Sequence, residues 1–146
     1  MIYTCEIDVN HTRERMIELF DNPDNLPKWL IGLERFTHIS GEKGFPGAKS
    51  EFVVTAGNRT VEMIETIETR DLPEEFTAIY EAKGVWNRTE NFFHVNDDGS
   101  TKWIQTNEFR CDGLMMKLMM KLMPGAFRKE TMKQMESFKA FAEAEG

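Results

Sequence analysis

Side chains able to do chemistry are scattered along this chain, and few are spaced to act together. His11, His38 and His94 fall at a helix start and on two strand-like stretches, without the i, i+4 or short-loop spacing of metal ligands. They read as solvated or locally bonded, and neither a metal nor a cofactor is expected. Cys5 and Cys111 show no CxxC spacing and read as reduced, structural thiols. The glycine patterns GxGxxG, GxSxG and Walker are absent, so phosphate binding and a nucleophile elbow have no support. For proton transfer the chain offers only Tyr80, Glu65 and Arg88, which do not make a recognisable catalytic set. Tyr80 alternates with Phe76, Ala78 and Ala82, and Glu65 with Val61, Met63 and Ile67, so both fall on plausible inward faces. A buried carboxyl there would have a raised pKa and could exchange protons near neutrality. The competing reading takes Glu62, Glu65 and Glu68 together as a solvated charged face.

A second polar group lies on faces that should also turn inward. In residues 101 to 111, the charges on Lys102, Glu108 and Arg110 turn Trp103, Gln105, Asn107 and Phe109 to the other side. In residues 85 to 95 one face is Val85, Asn87, Thr89, Asn91, Phe93 and Val95, apolar at its ends and polar in its middle. The opposite face, Trp86, Arg88, Glu90, Phe92 and His94, is mixed, and the phase of this strand and of 59 to 69 is open. On the first phase, Asn87, Thr89, Asn91, Gln105 and Asn107 cluster at the centre of an interior. Buried amides must find partners, at about 1–3 kcal/mol for each one unmet. A ligand, bound water or one another would serve.

The elements that position these groups follow from periodicity. Residues 2 to 9 alternate as a strand with Tyr3, Cys5, Ile7 and Val9 on one side. Asn10 to Thr12 caps a short helix whose apolar face is Met16, Ile17, Leu19 and Phe20, and a second short helix spans about 24 to 30. Turn signals then divide strands at about 33–40, 48–56, 59–69, 75–83, 85–95 and 101–111. The final helix, about 126 to 144, puts Phe127, Thr131, Gln134, Met135, Phe138, Phe141 and Ala142 on one arc.

Between the last strand and that helix lies GLMMKLMMKLM, which holds half of the chain's ten methionines. Methionine is flexible and polarizable, so a wall built from it adapts to what lies against it. With only Lys117 and Lys121 on a narrow stripe, the segment is apolar over most of its circumference and calls for cover. Core packing is the favoured cover. A ligand, the first two helices or a second subunit come next, and a lipid surface last, because two lysines make a thin basic face.

The 146 residues fit one domain, 1–146, and 40% hydrophobic with 29% charged residues suits a folded protein. A net charge of −7 argues against nucleic acid. MIYTCEIDV lacks a basic n-region and an apolar h-region, so it reads as mature structure of a cytoplasmic protein. Lys117 and Lys121 interrupt the one stretch that approaches a membrane span, so no stable membrane insertion is expected.

The order of elements resembles the SRPBCC / START-like helix-grip superfamily, which includes the birch-pollen-allergen type and the polyketide cyclase/dehydrase-like proteins. The local matches are Asn22-Pro23 to Trp29-Leu30, Gly41 to Gly47, Asp71-Leu72-Pro73, and the run from Asp98-Gly99-Ser100-Thr101 through Trp103, Phe109 and Gly113 into the last helix. The resemblance implies an α+β helix-grip fold: a seven-stranded curved antiparallel sheet wrapped around a long C-terminal helix, with two short helices after strand one (β-α-α-β6-α). It implies a cavity for a small hydrophobic ligand, lipid-like or polycyclic aromatic. The expected lining is Trp29, Phe52, Met63, Tyr80, Asn91, Phe93, Trp103, Gln105, Asn107, Met115, Met119, Phe127, Met135 and Phe138. Alternatives are a polyketide cyclase/dehydratase-type enzyme using Tyr80, Glu65 or Arg88, and an interaction module resembling chaperone ATPase activators, with a methionine-filled interior. A homodimer through Trp86 and Phe92 is a further expectation.

Overall fold

The computed structural model describes residues 1–146. Strand β1 (Ile2–Val9) is followed by α1 (Arg13–Phe20), a single 3-10 turn (Pro23–Asn25) and the one-turn α2 (Leu26–Trp29). Then come β2 (Leu33–Ser40), β3 (Lys49–Ala56), β4 (Arg59–Asp71), β5 (Glu75–Ala82), β6 (Val85–Val95) and β7 (Thr101–Cys111), and after them α3 (Leu114–Leu122) and α4 (Pro124–Glu145). All seven strands form one antiparallel sheet in the order β1-β7-β6-β5-β4-β3-β2. The architecture is the expected helix-grip α+β arrangement, with the long terminal helix against the inner face of the curved sheet. No helix is long and apolar enough to cross a membrane.

Local chemistry sets the boundaries. The Thr12 side chain accepts from the Arg15 backbone N–H to start α1, and Asn22 does the same for Asp24 at the 3-10 turn. Register shifts at Leu33/Arg35, His38/Ser40 and Ile67/Thr69 bend the half of the sheet nearest β2. Gly32 has φ +83°, and a Cβ there would lie 2.2 Å from the Thr55 carbonyl oxygen, so only glycine lets β2 begin so close to β3.

At about 1.5 Å per residue, the 22 residues of α4 span roughly 33 Å, enough to cross the sheet. Met135, Phe138 and Ala142 are the residues of α4 that are fully buried. They join Tyr3, Cys5, Val9, Met16, Leu19, Trp29, Phe93 and Trp103 in one packed cluster under α1 and α2. Phe20 is its hub, with ring centroids 5.2 Å from Phe93, 5.7 Å from Trp103 and 5.9 Å from Phe138, all edge-on. Polar side chains of α4 also reach the outer edge of β1: Arg128 donates to the Thr4 carbonyl, and Lys139 to that of Asp8.

Helix α3 departs from expectation. It forms over the methionine segment, yet none of its residues is buried, with Leu114 84%, Met115 80% and Leu122 68% exposed. The favoured reading as core packing is therefore corrected. Gly113, at φ +85°, turns the chain off the end of β7, and Met123-Pro124 breaks the helix before α4, so the segment is held away from the sheet at both ends.

Candidate functional site

Alternation puts one face of every strand from β2 to β7 inside the curve, and that face is hollow. A cavity of about 910 Å3 lies between these strands, α4 and the α1–α2 segment. β1 and α3 contribute no lining residue. Strand 101–111 turns its expected face, Trp103, Gln105, Asn107 and Phe109, to the cavity, and for the two strands whose phase the sequence left open the inward sets are Met63, Glu65 and Ile67, and Asn87, Thr89 and Asn91.

Of the expected lining, Trp29, Phe52, Met63, Tyr80, Asn91, Trp103, Gln105, Asn107 and Met135 do lie on the wall. Five others are placed elsewhere. Phe93 and Phe138 are deeper, packed in the aromatic cluster at 1% and 0% exposure. Phe127 packs against Phe109 with the rings tilted and their centroids 5.1 Å apart, and leaves that ring to line the wall. Met115 and Met119 project from α3 into solvent, because the turn at Gly113 takes them off the sheet. Phe20, Phe36 and Ser50 line the cavity without having been named for it. For Phe36 the signal was its place on a strand, and Ser50 is the register partner of Glu65.

A polar band crosses this wall. Ser50, Glu65, Tyr80 and Asn87 stand directly opposite one another on adjacent strands β3, β4, β5 and β6. The Tyr80 hydroxyl donates to Glu65 Oε2 at 2.7 Å. Glu65 is 8% exposed and is the only carboxylate among the buried residues. Burial pushes its carboxyl above the usual range, and the bond from Tyr80 offsets part of that. Tyr80 is held well above an ordinary phenol, by burial first and then by the neighbouring carboxylate. The charge series is thus not one solvated face: Glu62 and Glu68 are exposed while Glu65 is inside.

The amides form a connected network beyond the band. Asn91 Oδ1 accepts from Trp103 Nε1 and Gln105 Nε2, both at 2.9 Å, and Asn91 Nδ2 donates to the Phe76 carbonyl at 3.1 Å. Asn107 Nδ2 donates to Gln105 Oε1 at 2.9 Å, and Asn107 Oδ1 lies 3.1 Å from Asn87 Nδ2 and 2.8 Å from Thr89 Oγ1. Partners within the protein therefore satisfy the acceptors. An amide nitrogen carries two protons, so Asn91, Gln105 and Asn107 each retain an N–H beyond the bonds named. The wall can orient a ligand acceptor without first breaking its own network.

Arg88 is corrected as a proton-transfer candidate. Period-two alternation puts it on the outer face, where Nε donates to Glu68 at 3.0 Å and Nη1 lies 3.2 Å from Glu90. Glu68 is held below the ordinary carboxyl range by that arginine. Trp86, on the same outer face, lies under the Arg110 guanidinium at 4.5 Å. The mouth of the cavity carries a different clamp. Arg70 grips the Asp21 carboxylate with two nitrogens, at 2.9 and 2.6 Å, donates to the Gly44 carbonyl, and covers the Phe45 ring at 4.8 Å. It ties the end of α1 to the β2–β3 connection.

The same ground plan occurs in solved structures of low sequence identity. The Zhui aromatase/cyclase from Streptomyces sp. R1128 superposes with a TM-score of 0.82 at 9% identity, covering 98% of this chain and 93% of that one. Ara h 8.0201 gives 0.74 at 11% identity, over 99% and 98% of the two chains. The chain has the SRPBCC/Bet v 1-like helix-grip fold. Norcoclaurine synthase from Thalictrum flavum, solved with dopamine and hydroxybenzaldehyde, shares this helix-grip fold at a TM-score of 0.72 and 14% identity, over 97% and 85%. No protein-family model matches the chain. No curated protein matches it in sequence.

Proposed function

We propose that this helix-grip protein binds or carries a small, mainly apolar molecule with hydrogen-bonding groups in its cavity, without covalent chemistry. The observation that carries this reading is the cavity itself, about 910 Å3 with aromatic walls and one convergent polar band. Small-molecule sites are commonly about 300–1,000 Å3, apolar, with a few placed polar groups. Norcoclaurine synthase, which shares the fold, was solved in complex with dopamine and hydroxybenzaldehyde, which supports a small-molecule guest for this protein. Lipid-like and polycyclic aromatic guests both suit such walls.

Native mass spectrometry of the purified protein reads any co-purified guest, and thermal unfolding with fatty acids, sterols and polycyclic aromatics reads stabilisation by mass action. Ser50→Trp, which projects a bulky ring into the cavity from β3, is expected to weaken both signals while the protein stays folded. Absence of any guest, with no compound raising the Tm, refutes the reading.

A second reading, a polyketide cyclase/dehydratase-type enzyme, is favoured by the Glu65–Tyr80 hydrogen bond inside the cavity. A protonated Glu65 could deliver a proton to a bound carbonyl while the cavity holds a flexible chain folded, and proximity would contribute much of the rate. Turnover lost in Glu65→Gln with guest binding retained would favour it. The interaction-module reading requires an interior filled by the methionines of α3, and none of those side chains is buried. Its exposed apolar patch, by contrast, is present on α3.

A further inference from the structure

Helix α3 is an apolar surface without a partner in this structure. Leu114, Met115, Leu118, Met119, Leu122 and Met123 are all exposed, and the main contact of α3 is with α4. At 100° per residue, Leu114, Leu118, Leu122, Met115 and Met119 share one arc of about 140°. Met116 and Met120, half-buried, lie on the side toward the protein. Lys117 and Lys121 lie along one side of the exposed arc, one turn apart. Solvent would not favour so much free apolar area, and a contiguous patch of this kind marks a contact surface.

Charge decides between occupants. From Gly113 to Lys129 the chain carries Lys117, Lys121, Arg128 and Lys129 and no acidic residue, although its net charge is −7. The lysine ion pairs in the structure belong to Lys102 and Lys139, so Lys117, Lys121 and Lys129 are free. A chain so polarised turns this end toward an anionic surface. A second copy fits less well. A nine-residue helix is only about 14 Å long, a strip well short of the roughly 800 Å2 per partner that stable dimers bury.

We propose that α3 docks this protein on anionic phospholipid bilayers, with its leucines and methionines entering the headgroup boundary and its lysines at the phosphate level. Leucine and methionine suit an acyl surface, lysine stems extend to the polar layer, and the chain breaks at Gly113 and Met123-Pro124 let the helix lie flat. Docking of this kind is peripheral and does not require a membrane span. It goes beyond ligand binding and does not rest on it.

Vesicle flotation tests it with the whole chain. Protein is expected to float with phosphatidylcholine vesicles containing about one-third phosphatidylglycerol, and to stay behind with phosphatidylcholine alone or at high salt. Lys117→Gln and Lys121→Gln should each weaken binding by about fivefold, the equivalent of about 1 kcal/mol per cation near the surface. Leu118→Asp with Leu122→Asp should abolish it with an unchanged circular dichroism spectrum and Tm, because both side chains are exposed. Ser50→Trp should float like the unmodified protein, which separates this result from the fate of the cavity reading. No flotation on the anionic vesicles overturns the proposal, as does equal flotation on neutral ones. Sedimentation that finds a dimer dispersed by Leu118→Asp with Leu122→Asp overturns it in favour of a second copy.

Discussion

Glu65→Gln replaces one carboxylate oxygen by an amide nitrogen and removes the only carboxylate among the buried residues. Tyr80 keeps an acceptor, since the glutamine oxygen can occupy the same place, so the hydrogen-bonded pair survives and the charge does not. Burial holds the folded-state pKa of Glu65 above the 4.5 of a free side chain. Between the unfolded value and the raised folded one, the native protein binds more protons than the unfolded chain, so this group makes stability fall as pH rises. Below the window the acid is neutral in both states and has no effect. Above it the full penalty of a buried charge is present. One proton of difference sets a limiting slope of about 1.4 kcal/mol per pH unit. Urea unfolding at steps from about pH 4 to pH 8, read by the fluorescence of buried Trp29 and Trp103, gives both stability curves. Their difference, variant minus unmodified protein, cancels the other carboxylates. It should be flat at the acid end, rise with pH, and level off with the variant the more stable. Parallel curves, or a difference that falls with pH, would refute the account of Glu65 as a carboxyl whose pKa burial raises.

Three further outcomes follow from particular contacts. Asn91→Leu orphans the Trp103 and Gln105 donors and should cost about 1–3 kcal/mol for each in urea unfolding. Phe138→Ala empties a site ringed by Phe20, Trp29 and Trp103 and should cost about 3–5 kcal/mol by the same measurement. Arg70→Ala releases the clamp on Asp21 and Gly44 and should lower stability by about 1–3 kcal/mol, a loss that shrinks in high salt as the ion pair is screened.

The face of strand 101–111 was legible in the sequence because it carries its own marker. Lys102, Glu108 and Arg110 belong outside, and period two then puts Gln105 and Asn107 inside, where the structure has them. The carboxylates of β4 carry a subtler version of the same rule. Residues 62, 65 and 68 are three apart, and on a period-two element that spacing alternates faces, so a row of three glutamates cannot form one solvated side. Helix α3 was not legible. An apolar helical stretch has the same pattern whether it is buried or exposed, and what decides is how far the bends at Gly113 and Pro124 carry it from the sheet. Phe93 and Phe138 were readable as interior but not as solid rather than hollow interior, because that distinction depends on where Phe20 inserts.

The reach of α4 to the free edge of β1 has a consequence for how the molecule assembles. Arg128 and Lys139 occupy the carbonyls of Thr4 and Asp8, which would otherwise be open to a strand from another molecule. The same helix walls the cavity through Glu130, Thr131, Gln134 and Met135. A chain whose terminal helix has not yet docked therefore presents a bare strand edge and an unroofed apolar basin together. Closing the vessel and shielding that strand edge from neighbouring molecules both depend on α4.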